Sequence, residues 1–592
     1  MSNQGVAHAD LPVFDRNFWD GTFRFTRIGT GSIGGKASSL VFIKDLLATQ
    51  MGEFGRLPNI RIDVPTLAVI ATDHFDDFIS QNKLLDLPFE DMSDDRIGMA
   101  FQKTELPVEL LGDLRALSQQ VKTPLAIRSS SLLEDKIGRP FAGVYATKMI
   151  PNNQFDADTR FRKLVEAMKC VYASTFFREA REYIRTTGRN PLDEKMAVII
   201  QEIVGLRHED RFYPDVSGVA RSYNYYPMGS ALPEQGVVSL ALGLGKTIVD
   251  GGITWTYSPE YPKVAPPFGS VDELIDGTQT HFWAVNMGKP PAYDPVSETE
   301  YMVNANLGDA ESDEVLSLLA STFDVERDRM IPGTRARGPR VLNFAPLLVL
   351  EQIPLNYVIK ALLRAAESVF DQKVEIEFAV TIHYERGQFQ SFRVGLLQVR
   401  PIVISRESVT VSEEDLTKPD VIVASDKVLG NGSVPNIHDI VFVRPDSFSS
   451  GTTPILAAEI GAINKRLQEQ GRSYLLIGFG RWGSSHPSLG IPVDWSQISA
   501  ARVIIESTLP NMNVELSQGS HFFHNLSSFD AKYLMLRYDG RFRINWDWLN
   551  RQPVADETEH VRHVHLAEPL DIRVDGRSGR GLIQSGRPRS TT

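Results

Sequence analysis

The sequence predicts a mixed α/β (α+β) chain, with a large first region followed by a smaller α/β domain. Three observations carry that expectation. At 592 residues and 66.1 kDa the chain exceeds what one ordinary core supports, so several packed domains are expected. A glycine-rich turn, Gly29-Thr-Gly-Ser-Ile-Gly-Gly-Lys36, runs straight into a helix-patterned segment. Two later segments, 375–382 and 392–400, alternate side chains with the period of a strand.

In chain order, residues 1–20 read as a loose leader, and the first helix is expected from near Gly35 through Leu47. Residues 60–70 read as extended chain interrupted at Pro65, with Thr72-Asp73 as a cap for a helix over 74–81. One helix is expected over 160–185, and strands over 198–203 and 237–241. The charged stretch 294–339 reads as an insertion or connecting lobe. A boundary is expected after Pro401, which gives a first region over 21–405, a polar linker over 406–419 and a second α/β domain over 420–569. Residues 570–592, with Arg577, Arg580, Arg587 and Arg589 among Gly, Ser and Pro, read as a disordered basic tail.

Composition excludes several classes. A formal charge of −12 argues against a general nucleic-acid binder, so anions must be captured by local arginine and lysine clusters. The one cysteine, Cys170, cannot form an internal disulfide and reads as a buried small hydrophobe, in keeping with a reducing cytoplasm. No basic start followed by an apolar run and no stretch of bilayer-spanning length is present, so no membrane partner is expected.

Four separated segments together suit a nucleoside triphosphate. They are the glycine-rich turn ending at Lys36, Ile127-Arg-Ser-Ser-Ser131 with Glu134, Asp135 and Phe141-Ala-Gly143 after it, Glu375-Ile-Glu377, and Leu397-Gln-Val-Arg400. Glycines let backbone N–H groups approach phosphates, Lys36, Arg128 and Arg400 would neutralise phosphate charge, and Glu375 and Glu377 could hold a divalent metal. Singly, Lys36 or Arg128 could be a surface-covering cation. A run of Arg128 and three serines between apolar segments needs polar partners if buried, and a phosphate with its metal would provide them. Period two puts Glu375 and Glu377 on one face, and Gln398 and Arg400 on another, so the four would meet if the strands pair. Gly29-x-Gly31-x-x-Gly34 is not read as a dinucleotide fingerprint, because the preceding 23–28 segment reads as a polar-apolar alternation instead of a buried strand. Lys36 is followed by Ala37, which rules out a Walker A loop, and the prolines after Gly478-Phe-Gly-Arg-Trp-Gly483 leave no helix to receive a pyrophosphate.

Gly34-Gly-Lys36, Ile127-Arg-Ser-Ser130, Glu134-Asp135, Phe141-Ala-Gly143, Gln201-Glu-Ile-Val204, Ser217-Gly-Val219, Gly243-Leu-Gly245, Glu375-Ile-Glu377 and Leu397-Gln-Val-Arg-Pro401 stand in a telling order. Over residues 20–405 the chain resembles the nucleotide-binding part of phosphoenolpyruvate synthase and pyruvate phosphate dikinase. The resemblance implies an ATP-grasp-like, two-lobed region that clamps ATP and Mg2+. It implies phosphate-binding, catalytic roles for Lys36, Arg128 and Arg400, nucleotide contacts for Gly34, Gly35, Ser129, Gln201 and Gln398, and metal- or ribose-side roles for Glu375 and Glu377. Glu375 stands where the family often has Asp, which keeps the charge and lengthens the reach.

The family passes phosphate from ATP to a histidine on a swivelling domain and then to pyruvate on a barrel. Fewer than about 190 residues follow position 405, too few for both. Gly483-Ser-Ser-His486 is the nearest stand-in for the phosphohistidine pattern, and a turn histidine is the plainer reading of it. His521, His524, His560, His563 and His565 read as surface or hydrogen-bonded histidines, and Arg481-Trp482 as a recognition pair or a packed core tryptophan. The expected function is an ATP- and Mg-dependent phosphotransferase whose phosphate acceptor is unidentified and could be a separate protein. The alternatives are a non-catalytic ATP-binding regulatory module or one half of a split phosphotransfer system.

Overall fold

The computed structural model describes residues 11–16, 25–54, 59–86, 92–131, 143–186, 190–224, 231–264, 271–385, 388–402, 409–484, 489–510, 512 and 531–586. Glu134, Asp135, Phe141, Ala142, His486, His521 and His524 lie outside the described residues. The chain is mixed α/β, with helices and several sheets. It divides into two compact units. The first is Met1–Ser222, Gln235–Ile248 and Ile253–Ile402; the second is Tyr223–Glu234, Val249–Gly252 and Val403–Thr592.

Two sheets of the first unit matter most. A five-stranded sheet runs in the order Phe25–Ile28, Leu67–Ile70, Met196–Glu202, Leu125–Ser131, Thr147–Ile150, parallel in its first pair and antiparallel after it. A six-stranded sheet runs Trp255–Tyr257, Val237–Ala241, Val216–Arg221, Val374–Glu385, Gln388–Pro401, Ile60–Asp63, antiparallel except in its last pair. The helix Gly34–Phe54 packs against Leu125–Ser131 of one sheet and Gln388–Pro401 of the other. Its buried residues Ala37, Leu40, Val41 and Leu47 recur at helical spacing, so one stripe faces the core and fixes where the glycine-rich turn must sit.

Several expectations are corrected here. Phe25–Ile28 is a buried strand: Phe25, Thr26 and Ile28 are all inside, because the parallel neighbour Leu67–Ile70 is itself wholly buried. Residues 11–16 are not loose, since Leu11 and Phe14 are buried and Phe14 N donates to Arg27 O at 2.8 Å. The stretch 294–339 is no added lobe. Ala305, Ala310, Leu316 and Leu319 belong to the main core, while its charges sit in pairs such as Arg211 with Asp313 at 2.9 Å. Residues 160–185 hold two helices, Ala157–Ser174 and Arg178–Thr186, and Cys170 in the first is buried, its thiol pushed up to about 12 by that burial. Thr72 and Asp73 do not cap the helix Thr72–Gln81 but begin it.

The second unit holds a seven-stranded sheet in the order Val428–Leu429, Lys532–Leu536, Ala501–Ser507, Tyr474–Phe479, Asp439–Val443, Val561–His565, Val554–Glu557. Lys532–Leu536 through Asp439–Val443 are mutually parallel, which is why they read as almost unbroken apolar runs. The helix Thr453–Glu469 links two of them. A four-stranded antiparallel sheet, Val421–Ser425, Arg580–Gln584, Asp571–Asp575, Gly432–Ser433, corrects the expected disordered tail for residues 570–586. Ile572, Val574 and Ile583 face the main core of this unit while Leu582 faces the opposite side, and the residues between the two strands make the turn, with Gly579 at φ 72°. Nor are residues 409–419 a free linker: Val411 and Leu416 pack on Ala424 and Leu582.

Candidate functional site

The site is built where the helix Gly34–Phe54 meets both sheets of the first unit. The first turn of a helix leaves N–H groups without helical partners. Here Ser32 Oγ takes the Gly34 N–H at 3.2 Å and Ser130 Oγ takes the Ala37 N–H at 3.0 Å. Ser130 Oγ also donates to Ile33 O at 2.8 Å, so one hydroxyl pins the turn to the strand. Gly34 sits at φ 75°, and a Cβ there would lie 1.8 Å from the Ser130 carbonyl oxygen. Glycine is required by this close approach, whatever binds nearby. Asp73 holds the other side of the turn, accepting from Thr30 N at 2.7 Å and Thr30 Oγ1 at 2.9 Å. Burial alone would raise its carboxyl, but the Thr30 and Gly31 hydrogen bonds and nearby His74 outweigh that and hold it below the usual range. Lys36 is buried, with its Nζ 3.0 Å from Ser129 Oγ. A cation in the first helical turn opposes the helix dipole, so the local field there favours an anion.

Arg128 joins the sheets. From the strand Leu125–Ser131 its Nη1 donates to Gln201 Oε1 at 3.1 Å and to Leu397 O at 2.9 Å, and its Nη2 donates to Gln398 Oε1 at 3.2 Å. The Leu397 carbonyl is available because the strand bulges there: Glu377 pairs with Gln398 and Phe378 with Leu396, which leaves Leu397 outside the ladder register. Gln201 Nε2 is buried and has no hydrogen-bond partner among the described residues, a donor that a phosphate oxygen would satisfy.

The pairing expected from period two is present. Glu375 faces Arg400 and Glu377 faces Gln398 across the antiparallel pair, and Arg221 faces Glu375 from the other side. Glu375 is 2% exposed. Its Oε1 accepts from Arg400 Nε at 2.7 Å and from Arg400 Nη2, and its Oε2 accepts from Arg221 Nε. Guanidinium groups thus hold both oxygens of Glu375, the residue expected on the metal or ribose side. Glu377 is more accessible, with Oε1 3.7 Å from Arg400 Nη2 and Oε2 4.0 Å from Arg128 Nη2. Among the described residues no group of three or more His, Cys, Asp or Glu side chains could hold a metal ion. Among the described residues, the cations Lys36, Arg128, Arg221 and Arg400 accompany the carboxylates Glu375 and Glu377, a set that fits a polyanion. Arg221 was missed in the sequence, although it lies two and four positions beyond Val219 and Ser217 on the same strand face.

The model of the pyruvate phosphate dikinase AMP/ATP-binding domain matches residues 30–419, well over half of the chain. The chain belongs to this family. The dikinase-domain match takes in Lys36, Arg128, Gln201, Glu375, Glu377, Gln398 and Arg400. No curated protein matches the chain. Among the described residues no helix is long and apolar enough to cross a membrane.

The second unit absorbs the remaining sequence candidates. Trp482 is 2% exposed and its Nε1 donates to Ile505 O at 3.1 Å, so it is a core tryptophan, while Arg481 Nη1 donates to Gly251 O at 3.0 Å. His560 Nδ1 lies 3.2 Å from Glu459 Oε1, and His563 Nε2 lies 2.8 Å from Asp439 Oδ1. These are hydrogen-bonded histidines, as the plainer reading had it.

Proposed function

We propose that the first unit binds ATP with its triphosphate against Lys36, Arg128 and Arg400, and that it transfers phosphate in an ATP-grasp-like arrangement. The observation that carries this reading is Arg128, a guanidinium held on acceptors from both sheets beside the Gln201 donor, which has no partner among the described residues. Arg128 and Lys36 would stabilise charge building on the transferred phosphoryl group, so catalysis would rest on positioning and electrostatics. Arg400 would exchange its hold on Glu375 for a phosphate oxygen, with Arg221 keeping the carboxylate paired. Gly34, Gly35 and Ser129 line the turn that would cradle the phosphates. Mg2+ is commonly held by one or two carboxylates plus substrate phosphates, and Glu377 would be the first of these here, with Glu375 joining once Arg400 turns away. The bound ion would supply charge neutralisation.

A second reading is favoured by one feature, the buried grip of Arg221 and Arg400 on Glu375. A site locked in that state would bind nucleotide without turning it over, as a regulatory module would. Incubation with Mg2+ and ATP, with and without pyruvate, beside an Arg128→Ala control, separates the readings by the nucleotide products. Arg128-dependent AMP supports a dikinase-like transfer and Arg128-dependent ADP a simple kinase. Binding without either product favours the regulatory module, and tracing labelled phosphate onto a second polypeptide would identify a separate acceptor.

A further inference from the structure

Gly29-x-Gly31-x-x-Gly34 follows a buried strand and opens a helix, which is the setting of a phosphate-binding turn. Its first half is directed elsewhere. Phe25–Ile28 and Leu67–Ile70 pair in parallel, so the glycine-rich turn and the first turn of the helix Thr72–Gln81 leave their carboxyl ends side by side. A Cβ at Gly29, where φ is 92°, would lie 2.5 Å from Asp73 Oδ1, and one at Gly31 would lie 2.6 Å from Asp73 N. Both glycines answer to the approach of Asp73.

Hydrogen bonds carry the pairing past the strand ends. Ala71 N donates to Ile28 O at 2.9 Å, Thr72 N to Ser32 O at 2.9 Å, and Ser32 N back to Thr72 Oγ1 at 3.0 Å. Asp73 Oδ2 takes both the N–H and the hydroxyl of Thr30, and bonds to an ionised acceptor are the stronger kind. The Thr30 and Ser32 amides are thus spent on the neighbouring helix, so this half of the turn is a latch and the phosphates are left the half around Gly35. Downstream, Ser32 Oγ takes the Gly34 N–H, and Lys36 follows two residues later with its Nζ on Ser129. Lys36 therefore stands at the end of a run anchored at Thr30, Ser32 and Gly34, and slack at the start of that run reaches the ammonium.

We propose that Asp73 is a positioning residue of the nucleotide site, one that touches no phosphate and acts through Thr30 by holding the turn where Lys36 meets the triphosphate. The inference rests on the reading of that site given above. Misplacing an oriented group by about 1 Å can cost it about a hundredfold, so a latch remote from the ligand still governs affinity. The test is calorimetric titration of MgATP into the full chain and into Asp73→Ala, Asp73→Asn and Arg128→Ala, with amide exchange followed at Thr30 and Ser32 in the nucleotide-free proteins. Asp73→Ala is expected to weaken binding about tenfold and to speed exchange at both amides about tenfold, while exchange in the strand Met196–Glu202 stays unchanged. Asp73→Asn keeps an oxygen for the Thr30 N–H and should recover part of the affinity, settling at about threefold weaker than the parent, and it decides the matter should Asp73→Ala fail to fold. Weaker binding in Arg128→Ala alone would overturn the latch and leave the triphosphate site standing. Equal affinity in every protein would overturn both. A loss in Asp73→Ala accompanied by faster exchange throughout the first unit would mark a merely structural role and overturn the proposal.

Discussion

At the scale of single residues, adjacent carboxylates on one strand have different work. Glu375 is sealed between two guanidinium groups, and removing one partner of a buried ion pair strands the others. Glu375→Ala should therefore cost about 3–5 kcal/mol in urea unfolding, whereas Glu377→Ala should cost under about 1 kcal/mol and instead weaken Mg-dependent nucleotide turnover. Asp215 gives a pH signature. It is buried, accepts a backbone N–H from Ile382 at 2.7 Å, and burial pushes its carboxyl up to about 7. A raised folded value means the folded state holds the proton more tightly than the unfolded chain. Its contribution to stability is therefore full below about pH 4 and lost as pH rises toward about 7. Asp215→Asn, which keeps an acceptor for Ile382, should raise the unfolding free energy measured in urea at about pH 8 by an amount on the order of a few kcal/mol, and the gain should vanish near pH 4. An equal gain at both pH values would contradict this.

Elements show how far the sequence could be read. The carboxylate strand and its return were legible because period two needs only local alternation, and the observed register puts Glu375 on Arg400 and Glu377 on Gln398. The bulge at Leu397 was not legible: no residue type marks it, and it exists to offer a carbonyl to Arg128 from a different sheet. Phe25–Ile28 was misread because its polar residues, Thr26 and Arg27, lie in a strand whose surroundings were invisible in a single window. The glycine-rich turn was recognised, yet Gly34 is explained by the Ser130 carbonyl as much as by any ligand. Gly34→Ala should thus shift the helix off the Arg128 strand. The expected cost is about 1–3 kcal/mol in thermal or urea unfolding, with weaker nucleotide binding, and an unchanged midpoint would refute the close approach.

For the whole molecule, composition misled at the C-terminus. Arginine and glycine between residues 575 and 581 suggested disorder, but they lie at the turn of a hairpin whose flanks bury Ile572, Val574, Leu582 and Ile583. Each such buried aliphatic side chain stabilises by about 1.5–3 kcal/mol. Truncation after residue 569 should consequently unfold or strongly destabilise the second unit, visible as a lowered or lost calorimetric transition, whereas a disordered tail would leave it unmoved. The match to the AMP/ATP-binding domain family covers residues 30–419, and the proposed role of Arg128 would give nucleotide binding there a physical cause.

The most direct measurement is titration of ATP with Mg2+ into the full chain and into Arg128→Ala and Arg128→Lys, each first shown to keep its thermal midpoint. If the Arg128 fork receives the triphosphate, Arg128→Ala should weaken binding by about tenfold to a hundredfold, and Arg128→Lys, which keeps the charge but loses the planar fork, should fall between. Equal affinities for all three proteins would contradict the assignment of the triphosphate to this site.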